Sequence, residues 1–110
     1  MIMLSAREKS VLMQFKASLE KTLGDKLDEL MLFGSKARGD ERLDSDLDVL
    51  VIVTTDDWRI CDVVYGIVTD IFLQTDISIS PKVISKKFLE QLQKEDTFFF
   101  RNISRDAIAV

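Results

Sequence analysis

Residues 30–53 read LMLFGSKARGDERLDSDLDVLVIV, and the rest of the chain is arranged around this stretch. An apolar run ends at Gly34-Ser35, a charged segment follows, and a second apolar run opens with Asp46 and Asp48. An ionised carboxylate at the mouth of an apolar strand loses water unless a partner replaces it, so the acidic pair asks for a cation. With a side-chain period of two, Asp46 and Asp48 share one face of a strand predicted from Asp46 to Val53, their Cα atoms about 6 to 7 Å apart. Glu29 to Phe33 reads as a shorter strand, too apolar on both faces for an exposed edge. Gly34 permits a sharp turn, Ser35 can cap a helical turn of Lys36, Ala37 and Arg38, and Gly39 breaks it. Backbone donors at the start of such a turn suit phosphate oxygens. Carboxylates, a divalent cation and phosphate together point to nucleotide chemistry.

On the N-terminal side, Ser5 and Glu8 form a candidate capping box, and Val11, Leu12, Phe15, Leu19 and Leu23 recur at helical spacing. A helix from about Ala6 to Leu23, stopped by Gly24, follows. On the C-terminal side, Thr54 or Thr55 is expected to cap a helix with Asp56 and Asp57 in its first turn and Cys61, Val64, Val68, Ile71 and Phe72 on its apolar face. Thr75 to Ser80 then alternates as TDISIS, which predicts a third strand carrying Asp76, Ser78 and Ser80 on one side and ended by Pro81. Ser85 can begin a helix containing Phe88, Leu89 and Leu92. A further helical segment holds Phe98, Phe99, Phe100 and Ile103, and Ile108 and Val110 are expected in a closing strand. Three successive phenylalanines cannot share one helical face, so at least one meets another layer or another subunit unless all find internal places.

The chain of 110 residues is expected to form one domain over 1–110, with a single modest core. Apolar residues at 46% and charged residues at 31% fit a folded soluble protein. The fold class expected is α/β, a small mixed β-sheet flanked by helices, because the link from Phe33 to Asp46 is too short for an ordinary parallel crossover. The formal net charge of -4 with scattered basic residues disfavours direct polynucleotide binding. Without histidine, the commonest zinc ligand and the usual neutral-pH proton carrier are absent. Cys61 is the single cysteine, which excludes an internal disulfide and favours a small buried side chain. No stretch approaches the roughly 20 apolar residues of a membrane span, and a cytoplasmic location is expected.

The segment Gly34-Ser35-Lys36-Ala37-Arg38-Gly39, followed after six residues by Asp46-Leu47-Asp48, resembles the signature of the DNA polymerase beta-like nucleotidyltransferase superfamily. More narrowly, the chain is similar to the minimal nucleotidyltransferase proteins of bacteria and archaea. The resemblance runs through Asp76 to the closing FFFRNISRDAIAV and implies the polymerase-beta-like fold. It implies that Gly34 and Ser35 hold nucleotide phosphates, that Asp46, Asp48 and Asp76 ligate two Mg2+ ions, and that Asp76 also helps activate an acceptor hydroxyl. Lys36 stands where relatives often have arginine. Arg38 either approaches a phosphate or braces the turn, and Arg42 and Lys82 have weaker cases than Arg38, with solvated charge as the alternative.

Oxygen ligands of this kind suit magnesium, and two ions about 3.5 to 4 Å apart can align a hydroxyl with the α-phosphorus of ATP or another nucleoside triphosphate. The motif lacks the spacing of a Walker A loop, and with no histidine Ser35 is a poor covalent nucleophile. The resemblance further implies a HEPN-type helical protein partner in a toxin-antitoxin pair, whose tyrosine would accept AMP. A homo-oligomer is a further expectation, and a noncatalytic antitoxin or a nucleotide-sensing binding protein are the alternatives.

Overall fold

The first helix forms where the apolar spacing puts it. α1 spans Ala6–Leu23, and its capping box is complete: the Glu8 N–H donates to Ser5 Oγ at 3.0 Å and the Ser5 N–H to Glu8 Oε1 at 3.0 Å. It buries Val11, Leu12, Phe15, Leu19 and Leu23 and stops at Gly24, whose φ of 53° an L side chain rarely adopts. The structure, a computed structural model, describes residues 4–34 and 46–110.

A one-residue irregularity in strand pairing lets β1 begin at Leu27, earlier than expected, and run to Phe33. β2 spans Leu47–Val53 and β3 spans Ile79–Ser85, with the helix α2, Arg59–Thr75, between them. α3, Lys86–Lys94, and α4, Phe98–Asp106, follow, and the expected closing strand is β4, Ile108–Ala109, which pairs with β1 and leaves Val110 just past its end. Among the described residues the sheet order is β3-β2-β1-β4, with β2 and β3 parallel and the other pairs antiparallel. The expected α/β fold with a mixed sheet is therefore the fold observed.

The central strand divides its side chains between two layers. Leu47, Val49, Val51 and Val53 point into the core made with α1 and α2, together with Leu30 and Leu32 of β1. Leu50 and Ile52 point the other way, against Ile84, Ile103, Leu89 and Phe99. Phe98, the first of the three phenylalanines, is 79% exposed, whereas Phe99 packs on this second cluster.

Three expectations are corrected. Pro81 does not end β3 but lies within it, opposite Val49. The Leu47 N–H donates to the Ser78 carbonyl at 3.0 Å, so alternate residues from 78 onward turn their main chain toward β2 and Pro81 turns away at the sheet edge, where no N–H is missed. The helix after β2 is not capped by a threonine. Thr55 Oγ1 accepts from the Asp57 N–H at 3.2 Å and Asp57 Oδ1 from the Arg59 N–H at 3.1 Å, and these turns delay α2 to Arg59. Cys61 is half-buried rather than enclosed, beside Trp58 at the C-terminal ends of β2 and β3.

Candidate functional site

The register brings the C-terminal end of β1 and the N-terminal ends of β2 and β3 together. Asp48 pairs with Phe33 on one side and with Ser80 on the other. It shares its face of β2 with Leu50 and Ile52, toward α3 and α4, and it is half-buried. Asp46 is exposed and immediately precedes β2. It stands two residues before Asp48 in the chain.

Gly34 follows Phe33 with φ of 76°. A Cβ there would collide with Asp48 Oδ2 and stand 3.0 Å from its Cγ and 3.1 Å from its Cβ. The residue is thus restricted twice, by its left-handed backbone and by a carboxylate lying against its Cα. The sequence supplied the turn and a phosphate-binding rationale. The close approach of Asp48 adds a steric one.

Asp76 occupies a place different from the one expected. The helical pattern of α2 continues to Thr75, and Asp76 caps the helix in a left-handed conformation, φ 62°, its N–H donating to the Phe72 carbonyl at 2.8 Å. Aspartate tolerates this conformation better than most residues. Asp76 therefore stands before β3, on the approach to the sheet end that carries Asp46, and Ser80 is the β3 residue beside Asp48. Ser35 and Arg38, together with Lys36 and Arg42, lie outside the described residues.

α4 walls the glycine end. Phe33, Gly34, Phe99, Asn102, Ile103 and Asp106 line a cleft of about 160 Å³. Arg105 donates from Nε and Nη2 to the two Asp106 carboxylate oxygens at 3.0 and 2.9 Å, and this pairing raises the guanidinium pKa further. Lys82, two residues past Ser80 on β3, holds its ammonium 4.6 Å from the centre of the Phe99 ring. A larger hollow of about 470 Å³ lies toward the opposite end of β1, bordered by Lys16, Glu20, Leu27 and Val110, and touches none of these groups. Its size has no bearing on the acidic pair.

Sequence reasoning singled out Gly34, Asp46 and Asp48 but not Phe99, Asn102 and Asp106, which come beside Gly34 only through long-range packing. The even-numbered residues Ser78 and Ser80 were within reach of the period-two reading. The expected end at Pro81 left Lys82 outside the strand, so its side of the sheet was not readable.

The two aspartates are hard oxygen donors of the type that divalent magnesium takes in pairs, its other positions being filled by water and substrate phosphates. Among the described residues, no three histidine, cysteine, aspartate or glutamate side chains form a group that could hold a metal ion. Among the described residues no helix is long and apolar enough to cross a membrane.

The protein named "Putative protein adenylyltransferase MJ0141" from Methanocaldococcus jannaschii is 35% identical over 88 residues, covering 76% of this chain and 89% of the relative. The profile of the family described as "Polymerase beta, Nucleotidyltransferase" matches residues 13–108, from within α1 through the Asp46/Asp48 pair and the α4 wall to β4. With the mixed sheet and the acidic strand mouth in place, the chain belongs to the polymerase beta nucleotidyltransferase family.

Proposed function

We propose that this protein transfers a nucleoside monophosphate, AMP from ATP, to a hydroxyl acceptor in a metal-dependent reaction. The observation that carries this reading is the Asp48 carboxylate lying against Gly34 at the end of β1, with Asp46 two residues before it in the chain. A carboxylate pair beside a glycine turn is suited to bringing a phosphate group and a cation together.

Asp46 and Asp48 would hold Mg2+, which supplies Lewis-acid stabilisation of charge on the phosphate oxygens when bound. Gly34 and Ser35 would receive the triphosphate. The acceptor oxygen forms a bond to the α-phosphorus as the bond to pyrophosphate breaks, and the hydroxyl proton leaves to a carboxylate or to water. With no histidine in the chain, a carboxylate is the fitting acceptor for that proton. Asp76 is the third carboxylate of this proposal by its place at the foot of β3.

The relative's name speaks of a protein as the acceptor, and the acceptor proposed here is likewise a protein hydroxyl: a tyrosine on a HEPN-type helical partner. This makes the chain the antitoxin of a toxin-antitoxin pair. Incubation with ATP, magnesium and a helical protein encoded beside it should add one AMP to that partner, read by mass spectrometry. The gain should vanish in Asp46→Ala and Asp48→Ala. Partner inhibition that survives the double Asp46→Ala/Asp48→Ala variant without any mass gain would replace transfer with simple binding.

A further inference from the structure

We propose that Lys82 is a phosphate-contacting residue of this site, its ammonium propped on the Phe99 ring so that it meets the β- and γ-phosphates of the nucleotide. The proposal rests on the transfer reading above and names a residue that reading does not use.

The argument begins with register. In the parallel β2/β3 pair Asp48 stands beside Ser80 and Leu50 beside Lys82. Leu50 packs into the α3/α4 side of the sheet, so its neighbour Lys82 and the neighbouring position Ser80 belong to the face that carries Asp48. The contact of the Lys82 ammonium with Phe99, 4.6 Å from the ring centre, places the side chain on that face directly. Phe99 also lines the cleft that includes Gly34. One aromatic ring thereby stands beside both Lys82 and Gly34.

Charge supplies the second step. Asp46, Asp48 and Asp106 are acidic residues at this end of the molecule. A triphosphate adds more of the same sign. A cation on the same face offsets that repulsion, and lysine serves phosphate as a compact point charge. Stacking on Phe99 limits the directions that the flexible side chain samples, so the charge is available where it is needed. A lysine on an edge strand also has a plainer use, discouraging sheet-to-sheet pairing, and the two roles separate by experiment.

Binding of Mg-ATP and of AMP to the wild type, Lys82→Gln and Lys82→Arg is measured by calorimetry, with AMP competing against a fluorescent ATP analogue. Lys82→Gln should weaken Mg-ATP roughly tenfold, the effect of one lost charge-assisted contact, and leave AMP unchanged, while Lys82→Arg restores most of the affinity. Phe99→Leu should weaken Mg-ATP in the same direction but less. Equal Mg-ATP affinity in wild type and Lys82→Gln overturns the role of Lys82 while the transfer reading stands. An equal loss for ATP and AMP overturns it too, since that is the mark of a structural defect. A wild type that binds no Mg-nucleotide removes both.

Discussion

The two helical layers on either side of the sheet are built to different depths. α1 sends five side chains into the core, and α2 adds Ile60, Val64 and Ile71. On the opposite side α3 buries none of its residues and α4 buries Ile103. The first layer is a sealed hydrophobic contact. The second covers Leu50 and Ile52 but leaves the Asp48 end of the same strand beside a cleft. A strand with both faces sealed could not present a carboxylate to a water-soluble substrate, so the thin layer is the one that leaves room for chemistry.

That contrast can be broken by truncating one apolar side chain in each layer. Phe15 is fully buried in α1, and Phe15→Ala should cost about 3–5 kcal/mol, a large share of a small domain's stability. Leu89, half-buried in α3, should cost about 1 kcal/mol as Leu89→Ala. Urea unfolding monitored by circular dichroism measures both. Comparable losses would mean that the α3/α4 layer bears as much of the fold as the α1/α2 layer.

Gly34 and Gly24 sharpen the same comparison. Both have positive φ, 76° and 53°, but a Cβ on Gly24 meets nothing within 4 Å, whereas one on Gly34 meets the Asp48 carboxylate. Gly24→Ala should therefore carry only backbone strain, about 1 kcal/mol, and leave transfer intact. Gly34→Ala should add displacement of Asp48 and lower AMP transfer at least tenfold, which corresponds to about 1.4 kcal/mol in the barrier. The measurement is transfer rate beside unfolding free energy for the two variants. If their rates match, the proximity of Gly34 to Asp48 has no catalytic meaning.

The parts of this protein legible in its sequence were those decided by short-range physics. The spacing of Val11, Leu12, Phe15, Leu19 and Leu23 and the Ser5/Glu8 pair gave α1 with its ends, because helix formation and capping act within a few residues. The apolar run after Asp48 gave β2, and Gly34 stood out because its left-handed backbone suits few other residues. The strand expected at Asp76 differs from the helix end observed because TDISIS alternates like a strand. In the fold, the Thr75 hydroxyl donates to the Ile71 carbonyl at 2.7 Å and its oxygen accepts from the Ile77 N–H at 3.2 Å, which closes the helix around Asp76 instead. Pro81 was misread for a different reason: whether proline stops a strand depends on which side of it faces a neighbour, and that is known only once β3 is an edge. The contact between Lys82 and Phe99 joins β3 to α4, and no local pattern announces it.

The smallest effect expected lies at the other end of β2, where the chain leaves the sheet. Asp57 accepts from Arg59 Nε and Nη2 at 3.0 Å each, and these hydrogen bonds hold its carboxyl below the ordinary value of 3.8. A group with a lowered folded-state pKa stabilises the fold above its unfolded value and loses that contribution as pH falls through the folded one. The difference in stability between wild type and Arg59→Ala should accordingly be steady near neutrality and shrink below about pH 3.8, as urea midpoints across an acid series would show. Because the pair is surface-exposed, the difference should be minor and fade in high salt. Transfer activity should be unchanged, since Arg59 follows the C-terminal end of β2 while Asp48 stands at the start of that strand. A variant that lost transfer while keeping its unfolding midpoint would show that the two ends of this strand are coupled, and the division between a stability end and a chemical end would have to be withdrawn.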